Sequence, residues 1–126
     1  MNKIPGFNWE PEDMNTYVFS FSIPVEMPNG ETAYLNRQGS LQFYSISSNS
    51  CEVEASCNGW SFQLIVGKYT SGHYVCVPNW HRGAPLSGRL TDQEWNYNSL
   101  CKAGFEMQNA YGIASALDEV SRHVDF

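Results

Sequence analysis

A chain of 126 residues, 42% hydrophobic and 14% aromatic, is sized for a single domain spanning 1–126, since such a length buries roughly two-thirds of its surface in one core. Thirteen Asp and Glu against seven Lys and Arg give a formal net charge of -6, so no bulk basic face exists to track phosphates and direct nucleic-acid binding is not expected. The aromatic content excludes disorder, and no apolar run approaches the ~20 residues that cross a bilayer. The expectation is a cytoplasmic protein without membrane contact.

Residues 1–15 hold two prolines, Gly6, Phe7 and Trp9 without helical or strand periodicity. They read as an arm that Phe7 or Trp9 pins to the remainder, because exposed aromatics favour a surface to pack on. From Thr16 to Val25 the alternation of Tyr17, Phe19, Phe21, Ile23 and Val25 with smaller or polar residues predicts a half-buried strand. Pro24 cannot donate to a ladder, which places this end at an edge or a terminus. Pro28-Asn29-Gly30-Glu31 reads as a hairpin turn into a strand over 32–36, and after Gln38-Gly39 the run 41–46 reads as another.

The strongest local signal is the hairpin from Cys51 to Val66. A two-residue loop at Asn58-Gly59 pairs Cys57 with Trp60, Ala55 with Phe62, Val53 with Leu64 and Cys51 with Val66, and all eight are apolar. Glu52, Glu54 and Ser56 then share the opposite face with Ser61 and Gln63, and Ile65 is the exception. A slip of one residue exposes the apolar set, so the register is strongly specified. Cys51 and Cys57 lie about 20 Å apart along the strand, beyond disulfide reach, and both are expected in the core.

Thr70-Ser71-Gly72 reads as a turn into 73–77, stopped by Pro78; pairing Val66 with Val77 puts Val75 on the apolar face. Residues 79–90 are rich in Gly and Pro and read as a loop. Thr91-Asp92-Gln93-Glu94 has the form of a capping box, flanked by a Leu90/Trp95 staple, and Gly104 is a natural stop for the helix that follows. A second helix from about Met107 to His123 places Ala110, Ile113, Ala114, Leu117, Val120 and Val124 on one stripe. Strands first and helices last predict an α+β domain: a meandering antiparallel sheet of about five strands over 16–78, with two helices over 91–124 packed on one face.

No catalytic residue is expected, since G-x-S-x-G, glycine-rich phosphate loops and H-E-x-x-H are absent from the sequence. The four cysteines contain no C-x2-C pair and the histidines lack zinc-finger spacing, so neither metal nor cofactor is expected. His73 and Cys76 fall on opposite strand faces, against a direct dyad. Two surfaces remain. Glu26, Glu31, Glu52 and Glu54 would offer a basic protein groove the charge that nucleic-acid phosphates offer it. Trp80, His81, Arg82 and Arg89 would suit one bound phosphate or carboxylate. Each has an ordinary alternative, a solvated sheet face or arginines paired to Asp92 and Glu94.

The string GWSFQLIVGKYTSGHYVCVPNW, followed by Gly83, Leu86, the Trp95-Asn96 pair and Leu100, resembles a family of uncharacterised small proteins from Gram-positive, often gut, bacteria and their mobile elements. The resemblance covers roughly 51–120 and carries a domain-of-unknown-function label, so no site residue transfers. Gly83-Ala84-Pro85-Leu86 departs from the Gly-Cys-Glu-Leu of the family, and the first fifty residues look idiosyncratic. The mobile-element setting implies accessory roles, including antagonism of host defence. The expected function is a non-enzymatic phage or plasmid protein that binds a protein partner, such as a nuclease of a CRISPR or restriction system. The alternatives are an anion or nucleotide binder using the 79–89 loop and an oligomeric module using the arm.

Overall fold

The structure is a computed structural model that describes residues 6–76 and 87–123. Seven strands form one antiparallel sheet in sequential order: β1 (Asn8–Pro11), β2 (Thr16–Glu26), β3 (Thr32–Tyr44), β4 (Ser50–Cys57), β5 (Trp60–Tyr69), β6 (Gly72–Cys76) and β7 (Ser87–Arg89). Helices α1 (Gln93–Lys102) and α2 (Met107–Ser121) follow. The α+β class, the meander and the two C-terminal helices match expectation, but the strand count is seven rather than about five.

Two local effects each add a strand, and a third joins two expected strands into one. The arm contributes β1, which pairs with β2 through Trp9 opposite Phe19; NWEP is too short and too irregular to show a period of two. Ser87–Arg89, inside the segment expected to be loop, adds β7 to β6. The two strands expected on either side of Gly39 are one thirteen-residue strand. Its missing side chain is replaced by the ring of Phe19, its partner on β2, and a Cβ there would overlap both that ring and the Ser56 carbonyl oxygen.

The 51–66 hairpin has the expected register, and Asn58 and Gly59 take φ of 51° and 84°, the positive pair a type I′ turn demands. Cys51, Val53, Ala55, Cys57, Phe62, Leu64 and Val66 are buried, whereas Trp60 is 66% exposed. Alternation assigns Trp60 to the core face correctly, but it sits at the hairpin tip rather than under the core. In the next hairpin Val66 pairs with Val75, not Val77. The two-residue shift preserves parity, so Val75 stays inside and fully buried; Val77 lies outside the described residues.

Helix α2 crosses β2, β3 and β4, while α1 packs on α2 and β7. Ala110, Ile113, Ala114, Leu117 and Val120 are buried as the stripe predicts, each large member contributing about 1.5–3 kcal/mol on full burial; Val124 is outside the described residues. Helix α1 is capped by Asp92, whose side chain accepts from the Trp95 N–H at 3.1 Å, rather than by Thr91. Leu90 is buried, but Trp95 is half exposed and lies on Gly88 instead of closing a staple. The N4 place belongs to the buried Asn96, whose amide donates to the Arg89 carbonyl at 2.8 Å and ties β7 to α1. At the other end Phe105 N–H reaches Leu100 O and Gly104 N–H reaches Cys101 O, with Gly104 at φ 101°, the double bond of a Schellman stop.

The arm is anchored as expected. Phe7 is 7% exposed and stacks on Phe19 and Phe21 at 5.8 and 6.2 Å, while Trp9 packs edge-on to Tyr17 at 5.9 Å. Beyond Ser20, β1 no longer flanks β2, so Pro24 sits on a strand edge where no donor is required. None of the described helices is long and apolar enough to cross a membrane.

Candidate functional site

Both helices lie on one face of the sheet, and among the described residues no element packs on the other. On strands β3 to β5 the residues alternating with the core set are Gln38, Ser40, Gln42 and Tyr44, then Glu52, Glu54 and Ser56, then Ser61, Gln63 and Ile65. Side chains of alternate parity leave a strand on opposite faces, so this set forms the open face.

Two hydrogen-bonded groups organise it. The Gln63 amide donates to Glu52 Oε1 at 2.7 Å and to Tyr44 Oη at 3.0 Å. Ser56 and Ser61 hydroxyls meet at 2.7 Å, and Ser61 donates to Glu54 Oε1 at 3.4 Å. The carboxylates are thus oriented by neutral donors. Among the described residues no Lys or Arg side chain bonds to either carboxylate.

The four acidic residues anticipated from sequence do not converge. Glu52 and Glu54 stand side by side on β4, about 7 Å apart along the strand. Glu26 lies ten residues along β2 from Thr16, which shares the cross-strand row of Glu54 through Gln42, and is therefore about 33 Å away. With Glu31 it marks the tip of the β2–β3 hairpin, where both are exposed. Glu10, absent from the anticipated set, does join the open face. It lies in one row with Val18, Ser40 and Ser56, three strand spacings or about 14 Å from β4, beside a cavity of about 470 Å³ lined by Asn8, Val18, Ser20 and Gln38. No sequence signal was there to find it, because its role depends on the arm becoming a strand.

Of the anticipated anion set, Trp80, His81 and Arg82 lie outside the described residues. Arg89 is on β7, exposed, with its guanidinium 5.4 Å above the ring of Tyr74. Tyr74 in turn meets Tyr69 edge-on at 5.8 Å. Among the described residues Arg89 is the sole cation of the open face, at its outer edge.

Cys51 and Cys57 are buried free thiols. Burial pushes both up, Cys57 to about 11 with Arg37 opposing and Glu106 reinforcing, so neither offers a thiolate nucleophile near neutrality. Arg37 meets Glu106 at 3.6 Å. Among the described residues no group of three or more His, Cys, Asp or Glu is placed to hold a metal ion.

Comparison with known proteins adds one relation. No curated protein and no solved structure matches the chain. A family model matches residues 21–125, well beyond the 51–120 span of the resemblance and reaching into the first fifty residues. The chain belongs to DUF6618, a family of unknown function.

Proposed function

We propose that this chain is a non-enzymatic binding protein that docks a Lys- and Arg-rich surface of a protein partner on the open face of its sheet, centred on Glu52 and Glu54. The observation that carries the reading is the pair of carboxylates held by Gln63 and Ser61, neutral donors that orient without neutralising. A pre-oriented acid meets a guanidinium or ammonium group without first being ordered, which favours association. Glu10 extends the acidic surface toward β1, and the exposed Ile65 beside Glu52 supplies apolar contact area.

The chemistry that such a face complements is that of a nucleic-acid-handling protein, whose cationic groove is built for phosphates. Filling that groove with carboxylates would block its substrate. An inhibitor of a host defence nuclease, carried by a phage or plasmid in the cytoplasm, is the finer form of the proposal.

The test is quantitative binding to a partner isolated from nuclease-treated lysate of the source cell and then purified. Glu52→Lys with Glu54→Lys is expected to weaken the affinity on the order of tenfold or more and to flatten its salt dependence, with little change in Tm. Affinity and salt dependence equal to those of the parent would overturn the assignment.

A further inference from the structure

The end of the sheet remote from β1 has a different chemistry. Tyr69 is 66% exposed and its ring lies on Gly67, where a Cβ would come within 2.7 Å of it. Arg89 lies on Gly72, where a Cβ would stand 3.2 Å from a guanidinium nitrogen. Two glycines thus let a ring and a guanidinium lie flat on the sheet, with Tyr74 between them, its hydroxyl 3.2 Å from Ser71 Oγ. On the helix side of the same edge, a cavity of about 260 Å³ is lined by Arg89 with His73, Leu90 and Ser121.

We propose that this end binds a nucleotide-class ligand, its planar base stacked on Tyr69 and its phosphate held by the Arg89 guanidinium. Among the described residues no carboxylate or other acceptor engages the guanidinium, whose contact is the Tyr74 ring. Stacking on tyrosine leaves its in-plane donors open, the geometry that grips a phosphate with two parallel bonds. The ring-to-ring and ring-to-guanidinium separations of 5.8 and 5.4 Å place stacking surface and cation within the reach of one nucleotide. The net charge of -6 does not forbid an anion here. Glu52 lies three strands from β7, about 14 Å, farther than the Debye length of about 8 Å at physiological salt.

The site is independent of the acidic face, and its test uses the whole chain with defined probes. ATP, AMP, adenosine and pyrophosphate are titrated while Tm and heat of binding are followed. ATP or AMP is expected to raise Tm, with adenosine and pyrophosphate each binding at least about tenfold more weakly, since one lacks the phosphate and the other the ring. Arg89→Ala and Tyr69→Ala, both exposed, are each expected to weaken nucleotide binding by about tenfold while leaving the unliganded Tm nearly unchanged. Absence of binding by any nucleotide at millimolar concentration overturns the proposal, as does equal binding by both variants; pyrophosphate binding as tightly as ATP overturns the stacking half.

Discussion

The ring of Phe19 occupies the space that a side chain at Gly39 would fill on the neighbouring strand, with the Ser56 carbonyl closing the other side. A glycine that ordinarily weakens a strand is here the condition for β3 to run unbroken. Gly39→Ala is expected to destabilise by about 1–3 kcal/mol, because ring or backbone must move to admit the methyl group. Urea denaturation measures it, and a variant as stable as the parent would show that the ring is free to swing away.

Phe7 makes the arm part of the core. It is 7% exposed and stacks on Phe19 and Phe21, so Phe7→Ala is expected to lower stability by about 3–5 kcal/mol. Phe7→Leu, which keeps most of the buried area, is expected to recover more than half. Equal stability of all three proteins by denaturant midpoint would place the arm outside the cooperative fold.

The buried thiol of Cys57 makes stability depend on alkaline pH. Burial holds it neutral, with a folded value of about 11 against an ordinary 9.0. Its contribution is complete below pH 9 and is lost as the pH climbs through about 11, because the unfolded chain releases the proton first. At about 1.4 kcal/mol for each unit, the loss is on the order of 2–3 kcal/mol. Cys57→Ala removes the titration, so the stability difference between parent and variant is expected to narrow from pH 8.5 to pH 11; a constant difference would contradict it.

Where local chemistry alone decides geometry, the structure was legible in the sequence. The Asn58-Gly59 pair dictates its turn, that turn dictates the register from Cys51 to Val66, and the register delivers Glu52 and Glu54 to the open face. What failed to show depends on neighbours distant in sequence. Gly39 looks like a break until Phe19 is known to cover it, and Glu10 looks like part of a tail until β2 recruits it as a strand. Trp60 has the parity of a core residue, but alternation assigns a face without saying whether anything covers that spot. Thr91 and Asp92 are both competent caps, and the choice falls to the position whose side chain reaches Trp95. Glu26 and Glu31 share a charge with Glu52 and Glu54 but not a place, because β2 and β3 extend far beyond the end of β4.

The central claim is that one face of this protein, and not its charge as a whole, recognises the partner. The direct measurement compares two double charge reversals that change net charge equally: Glu52→Lys with Glu54→Lys on the open face, and Glu94→Lys with Glu119→Lys on the two helices. With folding confirmed for each by Tm, affinity for the purified partner is expected to fall about tenfold or more for the first pair and by less than about threefold for the second. Equal losses, or a larger loss from the helices, would contradict the account.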